Sequence, residues 1–119
     1  MALPHAASGE MIPLQRPEDD IANFTSIALV RTDTLELIRL VMPKDKEMPV
    51  HQVPGEVTLL CLHGELVCDA HGRSTSLRPG QMLYLLGGVP HGIRPTEDAI
   101  GLLTILRKPG PAGPVNVAP

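Results

Sequence analysis

Aromatic side chains are almost absent from this chain. It has no tryptophan, one phenylalanine (Phe24) and one tyrosine (Tyr84) in 119 residues. Recognition of sugars, nucleobases or flavins by stacking needs flat π surfaces, so any bound molecule is expected to meet aliphatic walls and a few polar groups. Cationic clusters are missing too. With a formal charge of -3 and a pI near 5.9, the chain lacks the electrostatic footprint of a nucleic-acid binder. No apolar run approaches the roughly 20 residues that span a bilayer as a helix, and no membrane partner is expected. The first residues, Met-Ala-Leu-Pro-His, lack the charged start and apolar run of a signal peptide. A cytoplasmic location is the expectation. Only two cysteines are present, Cys61 and Cys68, and in a reducing compartment both are expected to be free thiols.

What the chain has in quantity is turn formers. Thirteen prolines and eleven glycines are too many for a helical bundle and suit short strands joined by tight turns. At 119 residues one domain is expected, large enough to bury roughly two-thirds of the surface its unfolded form exposes. Apolar runs and alternation predict strands over 26–31, 34–42, 57–62, 65–70, 73–77, 81–86 and 99–106. Turns are expected at Thr32-Asp33, His71-Gly72, Arg78-Pro79-Gly80 and 87–90, with Pro43 ending the second strand and a charged loop over 44–47. A short helix over 18–24 is conceivable, but total helix is expected to stay below about one-tenth. The architecture that fits is all-β, an antiparallel sandwich or barrel. Residues 1–20, charged and without periodicity, read as an N-terminal arm and 21–107 as the barrel domain. Residues 108–119 form a Pro/Gly-rich tail that suits neither a regular helix nor a central strand. It is read either as a disordered end or as an arm across a partner subunit.

The most informative stretch is Met48-Pro-Val-His-Gln-Val-Pro-Gly-Glu-Val57, followed by Gly64 and later by Pro90-His91. It resembles the two-part signature of the cupin superfamily, G-x5-H-x-H-x3,4-E-x6-G and G-x5-P-x-G-x2-H-x3-N. His51 matches the first histidine and Gly64 the closing glycine of the first motif. Asp45, Val53 and Val57 stand where the family has glycine, the second histidine and the glutamate. In the second motif Gly80, Gly88 and His91 match, while Leu86 and Pro95 replace the proline and the asparagine. The resemblance covers residues 34 to 106. It implies an antiparallel double-stranded β-helix, the jelly-roll barrel of small single-domain RmlC-like cupins, which usually hold a metal ion. Val53, Val57, Leu59 and Cys61 would then line the inner wall.

The lost ligands matter for a physical reason. Residues two apart on a strand share a face, so H-x-H aims two imidazoles at one ion. Three such nitrogens and a carboxylate suit iron, manganese, nickel or zinc. With Val53 and Val57 in place, the resemblance leaves a degenerate site of two histidines, His51 and His91, and at most a weakly bound divalent metal. A dication held by neutral ligands in an aliphatic cavity is poorly compensated. Glu56 precedes the family's glutamate position. Regular alternation turns it away from His51, whereas a bulge at Pro54-Gly55 would bring it in and give two histidines and one carboxylate.

Other residues read more plainly. Tyr84 falls on the strand entering the second motif and is expected as a packed side chain with a satisfied hydroxyl, bordering the ligand site. His63 is expected at a surface bend, His71 at an exposed turn, His5 in the arm, and Arg39 and Arg94 as surface charges. An isolated hairpin at Gly64-Glu65 would place Cys61 opposite Cys68. The resemblance makes Gly64 a bend between strands that run on, with the cysteines up to roughly 23 Å apart along extended chain and beyond disulfide reach.

Two functions remain open at this stage. One is a binding module in which His51 and His91 anchor a small aliphatic or anionic ligand beside Val53, Val57 and Tyr84. The other is a metal-dependent enzyme resembling small cupin dioxygenases and isomerases, with His51, His91 and Glu56 around the ion. A homodimer is expected, because an apolar first strand would otherwise leave an open sheet edge.

Overall fold

The computed structural model describes residues 5–14 and 26–107, and the conceivable helix over 18–24 and the tail over 108–119 lie outside them. The described residues contain nine strands and no helix: β1 (Ile27–Arg31), β2 (Leu35–Met42), β3 (Met48–His51), β4 (Val57–His63), β5 (Leu66–Ala70), β6 (Arg73–Leu77), β7 (Met82–Leu85), β8 (His91–Pro95) and β9 (Ala99–Leu106). They form two antiparallel sheets, ordered β1-β2-β9-β4-β7 and β3-β8-β5-β6.

Alternation sets what each sheet buries. In β4, Val57, Leu59 and Cys61 are buried while Thr58, Leu60 and Leu62 are less so. Their partners follow the same parity, Val57 opposite Leu85 and Leu59 opposite Leu83 on β7. The second sheet contributes Leu66, Cys68, Leu77 and Ile93 to the same core cluster, with Met48, Val53, Ala70 and Val89 packed against it. The expected inner-wall residues are therefore inside.

Two turns show why the chain needs its glycines there. His71 at φ 56 and Gly72 at φ 73 make the tight turn between β5 and β6, a two-residue loop whose left-handed backbone matches strand twist. Gly64 has φ +71, and a Cβ there would stand 2.0 Å from the Asp98 carbonyl oxygen. Only glycine fits. At this bend the chain leaves one sheet and enters the other, because β4 and β5 belong to different sheets. The isolated hairpin is not formed, and Cys61 and Cys68 are free and buried.

Arg39 departs from expectation. It is 1 % exposed, not a surface charge, and its Nε donates to the Leu14 carbonyl at 3.0 Å. Alternation in β2 sends Leu40 and Met42 into the core and Arg39 to the outer face, where the N-terminal segment meets it. That segment also reaches the sheet edge, with the Ala6 N–H donating to Leu29 of β1 at 2.9 Å.

Candidate functional site

His51 ends β3 and His91 begins β8, and the two are direct cross-strand partners. Their ring centroids lie 4.7 Å apart with planes tilted by 50°. His91 shares the parity of Ile93 on β8, and Ile93 belongs to the core, so the His91 ring faces inward. It is 2 % exposed, whereas His51 is half-buried. Ala70 of β5 stands opposite His91 on the other side.

Both rings are held the same way. His51 Nδ1 lies 3.2 Å from the Pro49 carbonyl oxygen, and His91 Nδ1 lies 2.9 Å from that of Val89. A carbonyl can only accept, so each Nδ1 carries the proton and donates. In the neutral imidazole this leaves the lone pair on Nε2. Neither Nε2 has a hydrogen-bond partner among the described residues. Two imidazoles of fixed tautomer, each with one free acceptor, stand side by side, with Ala70 paired to His91.

Glu56 does not join them. It is exposed, and its carboxylate accepts a hydrogen bond from the Tyr84 hydroxyl. Tyr84 pairs with Thr58, while Leu83 and Leu85 take the inward positions of β7. Tyr84 is thus on the outer face and 54 % exposed, which corrects its reading as a packed residue bordering the ligand site. The physical reason is the two-residue period of the strand: an uninterrupted β7 with leucines inside must send Tyr84 out. The hydrogen bond to Glu56, then desolvation and the carboxylate's charge, raise the phenol above its ordinary value. Among the described residues no group of three or more His, Cys, Asp or Glu side chains is placed to hold a metal ion. The donor set does not fit the metal centre that the sequence motif suggests, because Val53 and Val57 are aliphatic and the Glu56 carboxylate is engaged by Tyr84.

The remaining polar residues lie elsewhere. His5, His63 and His71 are exposed. Arg94 Nε donates to Asp69 at 2.9 Å on the outside of the second sheet; this bond, and one from Ser74, hold the Asp69 carboxyl below its usual range. A groove of about 640 Å³ lies between residues 69–74 and 87–90. It adjoins the segment that leads into His91, rather than lying between the histidines.

The pairing of His51 with His91 is not visible to strand propensity. Pro49, Gly92 and Pro95 interrupt β3 and β8, and neither was expected as a strand. The usable signal was the family-like spacing of the two histidines. The inward neighbours Met48, Ala70, Val89 and Ile93 carried no sequence signal of their own.

No family model matches the chain, and no curated protein matches it. Solved structures do. A conserved protein of unknown function from Streptococcus pyogenes is 17% identical, with a TM-score of 0.71 over 92% of this chain and 97% of that one. A cupin superfamily protein from Desulfitobacterium hafniense DCB-2 is 19% identical, with a TM-score of 0.71 over 86% of this chain and 100% of its own. The DMSP lyase DddQ from Ruegeria pomeroyi DSS-3 is 25% identical, with a TM-score of 0.63 over 85% of this chain and 55% of the lyase. The two antiparallel sheets agree with these likenesses, and the chain has the cupin fold.

Proposed function

We propose that the protein binds a small aliphatic ligand carrying one anionic or hydroxyl group, with His51 and His91 as its polar anchors. The observation that carries this reading is the pair of adjacent imidazoles with both Nδ1 protons committed to backbone carbonyls. Each Nε2 can accept a hydrogen bond from a ligand hydroxyl when neutral, and can pair with an anion when protonated. Aliphatic neighbours supply the rest of the contact, as the scarcity of aromatic rings demands. The metal-enzyme alternative draws support from the two histidines, but Glu56 is engaged by Tyr84, so the binding reading is preferred. The structural likeness to a lyase supports the fold and leaves the chemistry of this chain to its own residues.

The test is a titration of short-chain carboxylates and alcohols followed by the imidazole carbon–proton resonances. The expected result is a ligand that moves the His51 and His91 signals together, and whose affinity falls at least tenfold in His51→Gln or His91→Gln, in line with the ~1.5–3 kcal/mol typical of a hydrogen bond to a charged group. Ligands that move only the exposed His63 or His71 would contradict it.

A further inference from the structure

The register of the second sheet carries the histidine row further. His51 pairs with His91, His91 with Ala70, and Ala70 with Arg73. Direct partners in antiparallel strands present their side chains to one face, so these residues form a single row across β3, β8, β5 and β6. Parity agrees along it. Ile93, Cys68 and Leu77 lie an even number of residues from His91, Ala70 and Arg73 on their own strands, and all three belong to the core cluster. Arg73 therefore has inward parity on β6, at the rim of the sheet, where it is exposed. Two strand spacings, roughly 10 Å between Cα atoms, separate it from His91, a gap that a long arginine side chain can narrow. Ala70, between them, carries only a methyl group. It lines the groove of about 640 Å³ together with Arg73 and Val89, and Val89 is the residue whose carbonyl holds the His91 ring. The groove thus reaches from the strand of Arg73 to the neighbours of His91.

The two ends of the row offer opposite chemistry. Arg73 makes no hydrogen bond or ion pair among the described residues. Asp69, the one carboxylate lining the groove, has outward parity and is engaged by Arg94 and Ser74. At the other end the free ring nitrogens are acceptors, and both retain accessible surface although His91 as a whole is 2 % exposed. We propose that Arg73 is a further ligand-binding residue of this site and that the ligand is a short aliphatic hydroxycarboxylate, its carboxylate on the guanidinium and its hydroxyl on the imidazole pair. A guanidinium only donates, and its fork matches a carboxylate through two parallel bonds. An Nε2 lone pair accepts the proton of a hydroxyl. The aliphatic spacer lies over Ala70 and Val89. This inference rests on the reading of His51 and His91 as ligand anchors and gives each polar end of the ligand its own partner.

The probes are ω-hydroxy acids from hydroxybutanoate to hydroxyhexanoate, each compared with the primary alcohol of the same length. They are titrated into the full chain and followed by the imidazole carbon–proton resonances. At least one hydroxy acid is expected to move the His51 and His91 signals and to bind about tenfold tighter than its alcohol, the scale of a hydrogen bond to a charged group. Arg73→Gln should remove that advantage and leave the alcohol's affinity as it was. Arg73→Lys keeps the charge without the fork and should retain part of it. Arg31→Gln, on β1 of the other sheet, should change neither affinity. Four results would overturn the role of Arg73 while the anchor reading stands: hydroxy acid and alcohol binding equally, an advantage that survives Arg73→Gln, alcohol binding lost in that variant, or an equal loss in Arg31→Gln. Probes that move neither histidine signal would overturn the anchor reading, and this inference with it.

Discussion

Tyr84 is the chain's single tyrosine, so its ionisation can be followed by absorbance without interference. The hydrogen bond to Glu56 holds the phenol above its ordinary value. Glu56→Gln removes the charge that favours the protonated form, and the titration is expected to move to lower pH. An unchanged titration would show that Glu56 is not on the outer face. The thiols give a second residue-scale test. Burial, and then the charge of Asp69, push Cys68 up to about 11 from an ordinary 9.0, and burial raises Cys61 too. At neutral pH both should resist alkylation in the native protein and titrate as two free thiols after unfolding. The sign of the linkage follows: a thiol whose folded value is raised contributes stability fully present below 9.0 and lost as pH rises towards about 11. Denaturation midpoints should fall across that window. Midpoints that rise there would contradict the buried placement.

At the scale of elements, Gly64 is the point on which the path of the chain depends. A Cβ at this position meets the Asp98 carbonyl at 2.0 Å and the backbone sits at φ +71, so Gly64→Ala is expected to cost about 2–4 kcal/mol in urea unfolding. A cost below about 0.5 kcal/mol, the scale of neutral surface changes, would mean that the bend is built differently. The sequence made β1, β2, β4, β5, β6, β7 and β9 legible because their apolar residues alternate or run unbroken between turn formers. It hid β3 and β8, since Pro49, Gly92 and Pro95 look like loop chemistry. Gly92 sits where a Cβ would come within 3.2 Å of Val50, a close approach that only the paired strands explain. Hence the two histidines were legible as family-like positions, while their direct pairing was not. Arg39 was misread for a related reason: its strand was clear, but the segment that covers its outward side lies 25 residues earlier in the chain.

For the whole molecule, association follows from what the sheets leave uncovered. On the outer face of the first sheet, Met82, Tyr84, Leu86 and Leu106 are between 41% and 61% exposed. Register places Leu102, Leu60 and Met82 in one row and Thr104, Thr58 and Tyr84 in the next. We propose that a second copy covers this face. Glu56 beside this face is engaged by Tyr84, which leaves that carboxylate partnered where two copies would meet. The first-strand edge is the weaker candidate, because the Ala6 N–H already occupies Leu29. Sedimentation is expected to give a dimer at micromolar concentration and a monomer for Met82→Lys combined with Leu86→Lys. A monomeric parent would contradict this.

The central claim is that His51 and His91 stand together without a carboxylate, as ligand anchors rather than as a completed metal centre. Calorimetric titration of nickel into the parent, Glu56→Gln and His51→Gln tests it most directly. Two neutral imidazoles supply half a tetrahedral shell, so the parent should bind weakly. His51→Gln should abolish that weak binding, and Glu56→Gln should leave it unchanged. Tight stoichiometric binding by the parent that Glu56→Gln destroys would show the carboxylate facing inward and would contradict the account.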